Sequence, residues 1–443
     1  MNRRRLLQSA GVVGMASLAG CPDTGDRRPD SAPTDAPVAR DGFDRAVNVA
    51  DAGADTDGSE PIDDLVAEQA ARGGLLVFPD GEYRLGHVEL ENVGRFGMVA
   101  EDGADPTILP ASPASEMGHT MLEVLGADSF LFEGISFDFR EEGYGGRMHV
   151  MADRTLAVRN LRVRGTYPPS AIGFHFGVTG ENGRGLVENL VARGGGRQGG
   201  RSVGVFVDRT HAGELTFRNC HLENFPNNGL YASASGNTGQ YEGSDGRIRV
   251  LGGFYRNNNI AGIRIGGPEA LVRRATIVVD DVPPHNDLNA RGLLVRNGTG
   301  HRIEECNIVV GPEAGYSLGA VAFNADAGRA TFRDSRIVMN RNGIPAVFAP
   351  SPSKSEYDPS GPVFENVSIT GRAGGAETVV VRDRNRSAFR NCEVVQSGDN
   401  RAGIWFDGAD DGLVADTTID VTGIPIQEIE SSVRRRSVNV VQP

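Results

Sequence analysis

Apolar positions along this chain recur in a fixed relation to a small set of turn-forming residues. Around Gly134, Asn160, Asn189, Asn219, Gly252, Arg274, Glu305, Asp334, Asn366, Asn391 and Asp416, one apolar residue stands two positions before and another three after. In Phe217-Arg218-Asn219-Cys220-His221-Leu222, apolar and polar residues alternate about Asn219, a period of two that predicts strands and leaves no helical repeat. Asn tolerates the left-handed backbone that a tight corner needs. A second predicted strand precedes each corner and reads Gly, inward, outward, inward. Examples are Gly173-Phe174-His175-Phe176, Gly204-Val205-Phe206-Val207, Gly229-Leu230-Tyr231-Ala232, Gly262-Ile263-Arg264-Ile265, Gly292-Leu293-Leu294-Val295, Gly319-Ala320-Val321-Ala322 and Gly403-Ile404-Trp405-Phe406.

Successive corners lie 22 to 33 residues apart. Units of that size cannot bury an apolar face alone and must stack on their neighbours. Two or three short strands per unit predict an all-β fold, a right-handed parallel β-helix of about eleven regular coils. At about 4.8 Å per coil the regular part is a rod on the order of 50 Å long. Cys220, Cys306 and Cys392 each follow a corner and are 86 residues apart, so they occupy one interior column three coils apart. About 14 Å then separates them, beyond disulfide reach, which predicts three free buried thiols.

The N-terminal part breaks the pattern. Residues 1–20 carry Arg3-Arg4-Arg5, a short apolar run and Leu18-Ala19-Gly20 before Cys21. They resemble a twin-arginine signal ending in a lipobox, which implies export by that route and lipid attachment at Cys21. Residues 22–43, rich in Pro, Asp, Thr and Ala, predict a disordered tether, so the membrane is met only through the anchor. Residues 44–129 form a cap and irregular first coils, continuous with the β-helix over 130–443. A capping helix is expected over 59–72, ending at Gly73-Gly74, followed by the strand Leu75-Leu76-Val77-Phe78 and the turn Pro79-Asp80-Gly81. Asp51-Ala52-Gly53-Ala54-Asp55, the helix, Gly-Gly, the strand and Phe-Pro-Asp-Gly-Glu-Tyr in this order resemble the N-terminal cap of the pectin-lyase-like β-helix superfamily, which includes pectate-lyase-type proteins and phage tailspikes.

Composition narrows the partners. The net charge is -13, and of 45 basic residues only Lys354 is lysine, a bias that resembles haloarchaeal proteomes. So acidic a surface argues against nucleic acid and favours cations. The outward positions of the Gly-marked strands, His175, Phe206, Tyr231, Arg264, Leu294, Val321 and Trp405, form a column. Within it Phe206, Tyr231, Arg264 and Trp405 suit a polyanionic sugar, through ring stacking and guanidinium–carboxylate pairing. Asp208, His175, His211 and Arg264 are candidates for acid, base and charge-stabilising roles. Residues 280–287, with Asp280, Asp281, His285 and Asp287, could take a cation such as Ca2+, and Glu242 with Asp245 and Glu356 with Asp358 repeat the idea more weakly. The superfamily resemblance implies a polysaccharide partner but transfers no catalytic signature. The Asn-Thr-Asp, Gly-His-Gly and Arg-Ile-Lys sets of polygalacturonases and the Asp-Pro-His of uronan epimerases are missing, and Arg264-Ile265-Gly266 matches one of them only in part. The expectation is a lyase or hydrolase acting on an acidic glycan at the cell surface, with a non-catalytic binding scaffold as the alternative.

Overall fold

Every corner identified in the sequence turns the chain with a positive φ. The angle runs from 50° at Asn391 and Asp416 to 57° at Arg274 for the nine side-chain-bearing corners, and reaches 76° at Gly134. The computed structural model describes residues 38–233, 244–353 and 359–441. Within them each coil contributes three strands. In one coil these are Val203–Val207 on a first face, Glu214–Arg218 on a second and, past the Asn219 corner, His221–Glu223 on a third. Each pairs in parallel with its counterpart one coil on: Phe206 with Tyr231, Thr216 with Arg249, Leu222 with Tyr255. The third face is a separate 15-stranded sheet. The first two faces join into one of 26 strands, because Thr120–Glu133 and Arg147–Arg159 run through both. This is the parallel β-helix expected, with the right-handed coil that parallel crossovers adopt.

Inward residues form columns along the axis. Phe332, Phe364 and Phe389 stand two before successive corners, and their rings stack with centroids 4.8 and 4.9 Å apart, the spacing of the strands that carry them. Cys220, Cys306 and Cys392 are buried and free, and burial raises their thiols to about 12, 11 and 11. At the corners, side-chain amides bridge coils: Asn189 donates to Asn160 (2.9 Å), Asn366 to Asp334 (3.0 Å) and Asn391 to Asn366 (2.7 Å).

A further column was not anticipated. The residues just before the first ten corners are Glu133, Arg159, Glu188, Arg218, Leu251, Arg273, Glu304, Arg333, Glu365 and Arg390, adjacent in register on the second face. Acid and base alternate through it with one interruption at Leu251. Ion pairs join Glu133 to Arg159 (3.2 Å), Glu188 to Arg218 (3.0 Å), Arg273 to Glu304 (2.5 Å) and Arg333 to Glu365 (2.7 Å).

The N-terminal cap departs from expectation at two points. The helix is shorter, Asp63–Ala71, because Asp57–Pro61 pairs as a strand with Glu82–Leu85. It buries Val66 and Ala70 and still ends at Gly73, φ 68°. Asp55 closes a cap turn: its carboxylate accepts the Ser59 and Glu60 amides, and these bonds, led by Glu60, lower its pKa to about 2. The tether is also shorter than expected. Val38 and Phe43 pack on Leu75, Val99, Leu131 and Ala157, and Arg40 binds Glu133, so residues 38–43 lie across the outside of the second face. The expected signal segment, Cys21 and the tether up to residue 37 fall outside the described residues, as do Glu242, Lys354, Glu356 and Asp358. No helix among the described residues is long and apolar enough to cross a membrane.

Among the described residues, Arg384 and Arg401 are fully buried cations held by uncharged oxygens. Arg384 is 0 % exposed and donates to the backbone carbonyls of Pro350 (2.7 Å), Ala327 (2.8 Å), Asn324 (3.1 Å) and Ser360 (3.3 Å). It ties together loops of three consecutive coils, and burial lowers its pKa to about 10. We expect Arg384→Met to cost about 3 kcal/mol or more in denaturant unfolding, since several buried carbonyls lose their donor at once. Arg274→Gly, at an exposed corner with φ 57°, should raise stability by about 1 kcal/mol, because Gly meets no Cβ penalty there. An unchanged midpoint in either variant contradicts the corresponding assignment.

Candidate functional site

The outward column of the first face begins earlier than the Gly markers suggested. Register places Glu89, Glu123, His149, His175, Phe206, Tyr231, Arg264 and Leu294 side by side on successive strands. It continues through Ala322, Phe348, Val380 and Trp405. Val321 is not in the column but points inward, fully buried: the strand begins after Ala320, while Gly319, φ 157°, sits one residue too early to mark it.

At one end of this column four titratable residues meet. His149 and His175 stack almost face to face, ring centroids 3.9 Å apart and planes within 7°. His149 donates from Nδ1 to Glu123 at 2.5 Å, and His175 from Nε2 to Asp208 at 2.7 Å. The opposite nitrogens, His149 Nε2 and His175 Nδ1, are buried and have no partner. Each imidazole is therefore held by a carboxylate on one side and keeps a lone pair on the other. Glu123 also receives Arg147 at 3.3 Å. Asp208 accepts the Thr210 amide at 2.8 Å and its hydroxyl at 2.7 Å. Burial pushes the Asp208 pKa up, but the bonds from His175 and Thr210 outweigh it and hold the carboxyl well below the usual range. His149 is pulled down to about 4, first by burial and then by the neighbouring His175. Two like-charged rings at this separation repel, so the pair does not carry two protons near neutral pH.

From His175 the column passes into a shelf of rings. Phe206 meets His175 edge-on at 4.8 Å and Tyr231 at 4.9 Å, and the Arg264 guanidinium lies 3.9 Å above the Tyr231 ring. Arg264 donates to the Ser233 hydroxyl at 2.6 Å, and burial lowers its pKa to about 10. The shelf stops at Leu294 and Ala322, which are buried with Ala261 under Leu318.

The sequence candidates thus divide. His175 and Asp208 form one hydrogen-bonded pair. Arg264 lies three strands from His175, about 14 Å along the column, and serves the shelf instead. His211 is fully buried, its ring bonded to the backbone of Val178 and Arg247 at 3.2 Å, which makes it a structural pin with a lowered pKa rather than a surface acid or base. Trp405 is five strands beyond Arg264, beside Arg382, and does not join the shelf. Glu123 and His149 were missed. Arg147-Met148-His149-Val150 repeats the in-and-out pattern of Gly173-Phe174-His175-Phe176, yet lacks the Gly used to find the others.

In residues 280–287, Asp280 is engaged by Arg256 through two bonds of 2.9 Å, and the backbone of His285 by Gln198 and Gly199, so the loop braces a neighbouring insertion. Among the described residues, one group of three side chains could hold a metal: His149, His175 and Asp208, with ligand atoms within 4.8 Å of one another. Two imidazoles and one carboxylate suit a transition metal better than Ca2+, which prefers oxygen. The parallel rings aim their nitrogens along separate planes, so one would have to turn before both met a common ion. Asn297, a candidate glycosylation acceptor in Asn297-Gly298-Thr299, is only 2 % exposed and closed to modification in the folded chain.

No protein-family model and no curated protein matches this chain. Among solved structures it is similar to the A-module of the mannuronan C-5 epimerase AlgE4 of Azotobacter vinelandii, at 12% identity and TM-score 0.43, over 90% of this chain and 100% of that one. It is also similar to the surface adhesin PfbA of Streptococcus pneumoniae, at 14% and 0.40, over 89% and 93%. A third is the catalytic unit of an alpha-1,3-glucanase from Streptomyces thermodiastaticus, at 12% and 0.35, over 88% and 68%. At these values no residue role passes from any of them to this chain.

His149, and the buried His301 with its pKa also lowered to about 4, bind fewer protons folded than unfolded between pH 6.5 and 4. Stability should therefore fall as pH drops through that window, the unfolded imidazoles taking up protons that the folded ones refuse. Nuclear magnetic resonance should find the His149 ring still neutral at pH 5.5; a titration midpoint near 6.5 contradicts this environment.

Proposed function

We propose that this protein acts on an acidic polysaccharide as a lyase-type enzyme, with the Glu123–His149 and His175–Asp208 pairs as its acid–base group. The observation that carries this reading is the stacked pair of imidazoles, each anchored to a carboxylate and keeping one unpartnered nitrogen, at the head of a shelf of rings. An imidazole that stays neutral offers a lone pair at neutral pH, which is what a general base needs. The proton it suits is the one on the carbon beside a uronate carboxylate. As that C–H bond breaks, its electron pair forms a double bond to the next carbon, and the glycosidic C–O bond breaks. The departing oxygen then takes that proton back from the imidazolium so formed, which returns the ring to its neutral state. Glu123 and Asp208 steady the imidazolium that forms on either ring.

Phe206 and Tyr231 offer faces for sugar rings, and Arg264 a guanidinium for a carboxylate further along the same chain. Hydrolysis by paired carboxylates fits less well. It requires one carboxyl kept protonated, whereas Asp208 is held ionised.

A second reading, a non-catalytic glycan-binding surface protein, is favoured by one observation. His149 and His175 are only 9 % and 6 % exposed, so a substrate reaches their free nitrogens only if a side chain moves. Under either reading the pattern through Cys21 supports an exported protein held by lipid at the cell surface, and the acidic, lysine-poor composition supports work at high salt.

The deciding experiment incubates the protein at high salt with uronic-acid and neutral polysaccharides, with and without Ca2+, and follows unsaturated products and new reducing ends. Unsaturated products are expected. His149→Gln and Asp208→Asn should each lower kcat by about 100-fold or more while the thermal transition persists. Full activity in both variants overturns the site, and silence across the panel with retention on one glycan moves the assignment to the binding protein.

A further inference from the structure

The second face carries a cleft of roughly 610 Å³ whose charge is opposite to that of the protein. It is lined by Arg329, Arg333, Arg386, Arg390 and Arg434, against only two acids, Glu365 and Asp411. Five guanidiniums less two carboxylates leave +3, in a chain whose net charge is -13.

The pairing inside the cleft is incomplete. Glu365 is shared between Arg333 at 2.7 Å and Arg390 at 3.5 Å. Asp411 reaches Arg386 only at 3.9 Å. Arg329 donates to the Arg386 carbonyl at 3.4 Å while its Nε is buried without a partner. Burial, then Arg386 and Arg390, lower the Arg329 pKa, the expected effect of crowded cations short of counter-charge.

The layout is that of a trough along the rod. Thr331, Val363, Ala388 and Leu413 are adjacent in register and form its floor. Arg333 and Arg390 stand on one side of the floor, two strands apart, hence about 10 Å. Arg329 and Arg386 stand on the other, in the equivalent position of the same two coils.

We propose that this trough binds a linear polysaccharide bearing carboxylate or sulfate groups, as a surface separate from the first-face site and independent of any catalysis there. Regularly spaced guanidiniums answer the anionic groups in bidentate fashion, and the floor of short side chains, Thr331, Val363 and Ala388, leaves room for the sugars between them. A single-stranded nucleic acid is a poorer fit, because the floor holds no aromatic ring on which a base could stack.

The test uses the full chain carrying Tyr231→Ala, which removes the ring shelf of the first face. Binding of fluorescent dextran sulfate and of oligogalacturonate is titrated at fixed salt, with neutral dextran and a single-stranded DNA of matched charge as comparators. Adding Arg386→Ala with Arg390→Ala should weaken the anionic glycans by tenfold or more. Arg162→Ala on the third face should leave them within twofold. Arg386→Lys with Arg390→Lys should recover part of the loss, since charge returns without the guanidinium fork. Both arginines are exposed, and an unaltered thermal transition verifies the fold. Unchanged affinity in the alanine pair, equal binding of neutral dextran, or tighter binding of the DNA each overturns the proposal. His149→Gln should abolish turnover and leave this binding intact, so failure here and failure of the acid–base site are separately visible.

Discussion

A left-handed corner once per coil is the constraint on which this structure rests. At Asn219 and its equivalents the chain must enter a backbone region that costs most residues about 1–2 kcal/mol, and it does so in every regular coil. That corner stops the second-face strand and starts the third, with Phe217 and Leu222 both left pointing inward. Because the turn is the same each time, the strands of successive coils fall into register, and like positions become columns. The Phe332–Phe364–Phe389 stack, the cysteine column and the amide bridges between Asn residues are all consequences of that repeat.

The same registration places chemistry on the outside. Glu123, His149 and His175 are far apart in sequence and become neighbours only because three coils align. A stacked imidazole pair with two buried unpartnered nitrogens is not what stability alone selects, since each such atom forgoes a hydrogen bond. By contrast the buried Arg384, also lacking a carboxylate, finds carbonyl acceptors in two neighbouring loops. The comparison separates a polar residue that serves the fold from a pair whose satisfaction is left open.

Much of the fold was legible in the sequence because its signals are local. The corner residues, the alternation around them and the three cysteines each need only a few neighbouring residues to be read. What was lost needed registration across coils. Val321 was given the outward place that Ala322 holds because Gly319 precedes the strand by one residue more than its counterparts do. His149 escaped because no Gly marks its strand, and Glu123 because the first coils are irregular. His211 is a candidate for acid–base work close to Asp208 in the sequence, but the chain turns between them and sends its ring into the interior. At the cap, the helix expected over 59–72 includes Pro61, whereas pairing with Arg84 keeps Pro61 in a strand.

The alternating column before the corners has a further effect. Opposite charges face each other between adjacent coils from Glu133 to Arg218 and again from Arg273 to Arg390. A chain that mispaired by one coil would set Glu against Glu and Arg against Arg along whole runs of this edge, whereas a shift by two would restore every pair. The column therefore acts as a parity check on stacking. It penalises the nearest misfolded neighbour of the native rod, and coils within either run could be gained or lost without electrostatic cost only in pairs.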